Sequence, residues 1–244
     1  MKLAKVFKEN KQFTLFSILA LVVVGVAVFA PQIAPYDPLD AVMLESLQAP
    51  SSAHPFGTDK LGRDLLSRVI FGTRTSLVMT LCLVAVIFVI GTFLGIIAGY
   101  FGGIVDGVIM RIADMMISFP GLVLAIAIAG MLGPNLVNAV ISIAAVSWTK
   151  YARLARSMVL KVKKSLYIEA AIVNGTKTWK ILLVHILPNM VTQMVVTAAA
   201  DIGTMMLELA SLSFLGFGAT APTPEWGLML NEGRTYMAKA PWLM

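Results

Sequence analysis

The sequence predicts an all-α, polytopic membrane protein. Residues of the AVILMFWYC set make up 58% of its 244 residues and charged residues only 13%. Several uncharged runs also reach the length that a bilayer demands. A soluble domain carries about a quarter charged residues to cover its surface. This chain cannot cover itself in water, and its mean hydropathy of +0.85 says the same. Disordered, collagenous and coiled-coil classes are excluded by the same composition. One cysteine, Cys82, excludes a disulfide scaffold and a cysteine-based zinc site. The two histidines, His54 and His185, leave little for a metal centre, so no metal ligand is assigned.

A hydrocarbon core about 30 Å thick needs about 20 helical residues. Five spans satisfy this, roughly 13–31, 76–99, 105–131, 136–155 and 190–214. The first lies in the uncharged run from Gln12 to Gln32, between Lys11 and the Pro31/Pro35 pair. Its lysine-rich start and Val28-Phe29-Ala30 resemble a cleaved signal, but the run exceeds a usual signal core and Pro31 would follow the cut. It reads as a retained span. The second lies within Thr75 to Val105, which carries no charge. The third and fourth share the uncharged run from Met115 to Thr149, which Gly133-Pro134-Asn135 divides by turn chemistry. The last follows Pro188 and carries Asp201 and Glu208.

Basic residues orient the spans. Lys2, Lys5, Lys8 and Lys11 precede the first. Lys150, Arg153, Arg156, Lys161, Lys163, Lys164, Lys177 and Lys180 follow the fourth. These are most of the chain's 19 Lys and Arg residues. The N-terminus and the 150–180 loop are therefore expected in the cytoplasm, and segments 32–74 and 217–244 outside. This bias accounts for the lysines without nucleic acid, for which there is no basic-aromatic face.

Charges inside spans seek partners or water, because a lone one costs about 2.5–3.5 kcal/mol at mid-bilayer on insertion scales. Arg111 and Asp114, at i and i+3, are expected to pair on one helix face. Asp201 and Glu208, two turns apart, are expected to point into the bundle or toward a partner. With Met205 they form the candidate translocation path. The 15 methionines read as packing, thioether being a common apolar filler.

The cytoplasmic loop carries the most specific pattern. It reads Glu169-Ala170-Ala171-Ile172-Val173-Asn174-Gly175 and continues to His185-Ile186-Leu187-Pro188. Leu166 to Val173 predicts a short helix. Ala170 and Ala171 admit another protein's surface closely. Gly175 can take positive φ and end the helix, and Pro188 starts or kinks the next one. On the residues alone, an ordinary amphipathic loop helix is the plainer reading. The spacing of Glu169, Ala170, Ala171, Gly175, Leu187 and Pro188 resembles the EAA loop of bacterial ABC-importer permeases, where such a helix couples to an ATPase subunit.

Two further segments extend the likeness. Gly57-Thr58-Asp59-Lys60-Leu61-Gly62-Arg63-Asp64 resembles the G-T-D-x-x-G-R-D segment of the dipeptide, oligopeptide and nickel permease family. Leu61, Leu65 and Val69 at i, i+4 spacing predict an amphipathic helix, capped by Thr58 or Asp59. It suits the outer interface or packing against spans. Ser213 to Gly218 and then Ala221-Pro222-Thr223-Pro224-Glu225-Trp226-Gly227 resemble that family's last external loop. There Pro222, Pro224, Glu225 and Trp226 are expected to face the substrate-binding protein.

The resemblance, to the second permease subunit of that family, implies a type I ABC importer transmembrane domain in the bacterial inner membrane. It implies as partners a homologous permease, two ATPase subunits, an external solute-binding protein and membrane lipid. Six spans are usual in the family, and five are found here before Pro241-Trp242-Leu243-Met244. ATP and Mg would be bound by the partner subunits. This chain lacks a phosphate loop, since Gly175-Thr176-Lys177-Thr178 has neither the Gly-Lys pair nor the upstream glycine. No cofactor and no covalent chemistry are expected of it, and an intramembrane enzyme lacks a paired nucleophile and base. A stand-alone secondary transporter would differ in needing no ATPase. Asp201 to Leu207 resembles the nickel and metal-chelate branch. The expected cargo is therefore nickel or a metal chelate, with a di- or oligopeptide as the alternative.

Overall fold

In lipid an uncharged run must satisfy its own backbone, and a helix does this within one segment. The computed structural model describes residues 10–244, which are helical with no β-strand, apart from one isolated bridge between Thr58 and Asp64. Lys2, Lys5 and Lys8 lie outside the described residues. The chain forms two compact units. One comprises residues up to Val78 together with Ala219–Met244, and the other Met79–Gly218.

The first unit begins with α1 (Lys11–Val28), an apolar helix with almost no buried surface. Helix α2 (Leu65–Phe101) starts in this unit. The helix expected from Leu61 starts only at Leu65, as the beginning of α2, and residues 56–64 form turns. At Gly62 φ is +75°, and a Cβ there would sit 1.8 Å from the Val42 carbonyl oxygen. Only glycine fits, and a helix cannot run through that geometry. The cap of α2 is Asp64 rather than Thr58 or Asp59. Its Oδ2 accepts from the Ser67 N–H and hydroxyl, each at 2.7 Å. Asp59 Oδ1 instead accepts from the N–H groups of Leu61 (2.8 Å) and Arg63 (3.1 Å).

Charges of this segment are buried, and each finds a partner. Arg63 and Arg68 are both 1% exposed. Arg63 meets Asp59 at 2.6 Å and Glu232 at 3.1 Å, and Arg68 meets Glu232 at 3.2 Å. His54 sits 2.9 Å from Asp64 and stacks on Tyr36. The motif thus ties the 36–64 turns to the start of α2 and to α8 (Trp226–Gly233).

The second unit holds the rest of α2, then α3 (Gly103–Ile117), α4 (Gly121–Leu132), α5 (Leu136–Lys163), α6 (Leu166–Val173) and α7 (Leu187–Phe214). The expected span 105–131 is not one helix: α3 and α4 meet at 92°. Pro120 lacks an N–H and disfavours helical geometry before it, so α3 ends and α4 starts afresh. Asn135 caps α5, accepting from the Val137 N–H at 2.8 Å. Before α7 the chain makes a π-helical stretch, Ile181–Ile186. Pro188 cannot donate to its preceding turn, and Asn189 Nδ2 takes the His185 carbonyl at 2.6 Å.

Among the described residues, Lys11–Val28, Leu65–Phe101 and Thr178–Phe214 are each long and apolar enough to cross a membrane. The bent α3–α4 pair adds a fourth if it counts as one span. Helix α5, expected to span over 136–155, is long but less apolar than these helices. Lys150, Arg153 and Arg156 are the reason, and α5 buries a full side of Ala139, Ile143, Tyr151, Ala152, Ala155 and Val159.

Small residues let α2 reach α5. Gly91, Gly95 and Gly99 recur every fourth residue on α2. A Cβ on Gly91 would lie 2.5 Å from the Trp148 oxygen, and one on Gly95 2.3 Å from the Ala152 oxygen. Such seams permit backbone approach in membrane helices, where packing replaces the hydrophobic effect. Gly95→Ala is therefore expected to destabilise the protein by about 1–3 kcal/mol. Gly107→Ala, where a Cβ meets nothing within 4 Å, should leave stability unchanged or raise it by up to about 1 kcal/mol. Thermal unfolding of the two purified variants in detergent checks this.

Candidate functional site

Helix α6 occupies Leu166–Val173, the residues predicted from sequence. It ends as its glycine requires. Gly175 has φ +71°, its N–H donates to the Ile172 carbonyl at 2.9 Å, and the Thr176 N–H donates to that of Ala171 at 3.0 Å. The helix is apolar nearly all round rather than amphipathic. Ile168 alone is buried, whereas Leu166 and Val173 are 83% and 86% exposed. Tyr167, Ile172 and Trp179 add to this apolar surface. Glu169 lies in the first turn, where the helix dipole favours an acid. Glu169 and Ala170 are exposed, Ala171 and Leu187 half-buried, and Pro188 exposed. Leu166, Tyr167, Ile172, Val173 and Trp179 form an exposed apolar patch within a basic segment.

A cavity of about 390 Å³ opens in the same unit, walled by α5, α7 and the α3–α4 break. Asp201, Met205 and Glu208 all line it, as do Lys150, Tyr151 and Thr204. Irregular backbone at membrane depth is tolerated where it borders such a cavity. Asp201 is buried and saturated: Lys150 Nζ donates to its Oδ1 and Oδ2 at 2.6 and 2.9 Å, and the Tyr151 hydroxyl to Oδ2 at 2.9 Å. Glu208 is half-buried.

The pairing expected of Arg111 with Asp114 is replaced by pairs between helices. Asp114 meets Arg153, and Asp106 meets Arg156 through both guanidinium Nε and Nη2. Sequence reasoning missed Lys150 and Tyr151. The signal was present, because a lysine inside an apolar helix needs a carboxylate and Asp201 is one of few available.

In the other unit, the residues expected to face a partner are divided. Pro222 is exposed and Pro224 half-buried. Glu225, 1% exposed, turns inward. It caps α8 by accepting from the N–H groups of Gly227 (3.0 Å) and Leu228 (2.8 Å), and the Ser76 hydroxyl donates to it at 3.3 Å. Trp226 Nε1 donates to the Val69 carbonyl at 3.2 Å, and its ring fills the space beside Gly72. Both side chains are committed to the fold of this unit.

Comparison with known proteins matches residues 91–243 to the family described as binding-protein-dependent transport system inner membrane component. Residues 2–50 match the N-terminal TM domain of oligopeptide transport permease C. The chain is 42% identical over 238 residues to a dipeptide transport system permease protein of Alkalihalophilus pseudofirmus, covering 98% of this chain and 78% of that relative. It is 45% identical over 222 residues to a glutathione transport system permease protein of Pectobacterium atrosepticum, covering 91% and 74%. A probable D,D-dipeptide transport system permease protein of Escherichia coli is 40% identical over 241 residues, covering 99% and 81%.

The two carboxylates of the cavity should respond differently to neutralisation. Asp201→Asn removes the charge and one of the two acceptor oxygens that Lys150 and Tyr151 share, and is expected to cost about 1–3 kcal/mol. Glu208→Gln is expected to leave stability within about 0.5 kcal/mol. Unfolding of both variants in detergent measures the contrast.

Proposed function

We propose a short-peptide cargo for this chain. It belongs to the binding-protein-dependent transport system inner membrane component family and is a permease subunit of an ABC importer. The peptide reading is carried by one observation: identity of 40–45% along nearly the whole chain to permeases named for dipeptides and for glutathione, itself a tripeptide. The nickel cargo expected from Asp201 to Leu207 gives way to its peptide alternative, because these relatives are named for peptides.

In this reading the chain pairs with a homologous permease, two ATPase subunits and an external solute-binding protein in the bacterial inner membrane. The N-terminus lies in the cytoplasm. Helix α6 supplies the docking surface for an ATPase, and its exposed Leu166, Tyr167, Ile172 and Val173 support this role. Ala170 and Ala171 keep the contact close, Glu169 and Gly175 fix the ends of the coupling element, and Leu187 and Pro188 pass its movement into α7. The cavity on α7, with Asp201, Met205 and Glu208, forms part of the path. Pro222 and Pro224 remain available to the binding protein, while Glu225 and Trp226 support the loop from inside.

A strain lacking this gene is expected to lose uptake of a labelled dipeptide and to keep uptake of labelled nickel. Loss of nickel uptake alone would overturn the peptide reading. Gly175→Pro and Glu169→Lys are each expected to abolish uptake with membrane levels unchanged. Parental uptake in both variants would remove α6 from coupling.

A further inference from the structure

The two carboxylates on the cavity face of α7 differ in what they have already met. Asp201 holds two donors, the Lys150 ammonium and the Tyr151 hydroxyl. Glu208, two turns further on, lines the same cavity and makes no hydrogen bond or ion pair among the described residues. The ionisable groups facing this space are Lys150, Tyr151, Asp201 and Glu208. With the tyrosine neutral, they leave an excess of one negative charge.

The opposite wall is formed by the break between α3 and α4. Met116 and Ile117, at the end of α3, line the cavity together with Phe119 from the break. The negative C-terminal end of α3 and, at Gly121, the positive N-terminal end of α4 both reach this wall, so the sign of the cavity is set by its side chains. Neutral groups, among them Ile87, Val146 and Thr204, complete the lining. About 390 Å³ lies within the range of about 300–1,000 Å³ usual for small-molecule sites.

We propose that Glu208 is a specificity-determining residue whose carboxylate receives the α-ammonium group of a short peptide as it passes the cavity. Lys150, Asp201 and Tyr151 act as positioning residues that hold α5 and α7 on either side. The inference rests on the peptide reading above and adds the group of the cargo that is recognised and the residue that recognises it. A carboxylate in an apolar surround gains from each arriving cation. The free ammonium of a linear peptide is the cation that every such cargo carries.

The test uses the complete importer in proteoliposomes, with Cys82→Ser to remove the exposed native thiol. Glu208→Gln should lower uptake of a free dipeptide by about tenfold, the scale of a lost charge-assisted hydrogen bond. Glu208→Asp should restore most of it. ATP hydrolysis stimulated by the cargo-loaded binding protein should stay at the parental level in both, which a folding or assembly defect would not allow. Parental uptake by Glu208→Gln would overturn the proposal while leaving the peptide reading intact. Absence of dipeptide uptake by the unmutated importer would overturn the peptide reading itself. A second measurement needs no change at 208. Thr204→Cys, in the cavity wall, should react several-fold faster with a cationic thiol reagent than with an anionic one of similar size. Equal rates, or the reverse order, would overturn the proposal.

Discussion

A helix that carries three cations past two neighbouring helices is held by the three acids that meet them, and these pairs organise the second unit. Lys150, Arg153 and Arg156 lie at i, i+3 and i+6 on α5. They meet Asp201 on α7 and Asp114 and Asp106 on α3. Lys150 and Arg153 are largely exposed, so these pairs add little net stability and act mainly by fixing which helix faces adjoin. The glycines of α2 add a complementary constraint. They bring the uncharged part of α2, residues 75–101, against the small residues Ala152 and Ala155 of α5, where no side chain could fit. Ion pairs and the small-residue seam together fix α5 among its neighbours. The cavity lies where α3 breaks and cannot close the gap beside α7.

Function follows from two features of this arrangement. One is a short apolar helix, α6, anchored by Ile168 and otherwise uncovered. The other is a polar cavity on the face of α7, the helix that the chain enters after α6. The intervening π-helical stretch and Pro188 lie between them. Only the short turn at 174–177 separates α6 from the helical stretch that begins at Thr178 and continues into the residues lining that cavity.

Helix α6 was legible in the sequence because its determinants are local. Small residues, a glycine at the end and a proline beyond it give the same answer at each level, and the boundaries coincide. The span containing Pro120 was less legible: its apolar run is continuous, and only the backbone cost of the proline records the break. Charges were misread where partners are distant in sequence. Arg111 and Asp114 satisfy the spacing rule for one helix, but Arg153 approaches Asp114 from α5 and takes it. The amphipathic pattern of Leu61, Leu65 and Val69 is used by α2 only from Leu65, and Gly57–Asp64 stays outside the helix. A positive φ at Gly62 and buried partners for Arg63 and Arg68 turn that segment into a folded knot instead. Sequence treats Asp201 and Glu208 as alike, and their difference depends on Lys150, fifty-one residues from Asp201.

The most direct measurement is dipeptide accumulation by the reconstituted importer, with and without its ATPase subunits, at a fixed ion gradient. Accumulation that requires both ATP and the ATPase pair is the result predicted for a permease driven through α6. Equal accumulation in vesicles that lack the ATPase subunits would contradict it, because the chain would then move cargo without an ATPase.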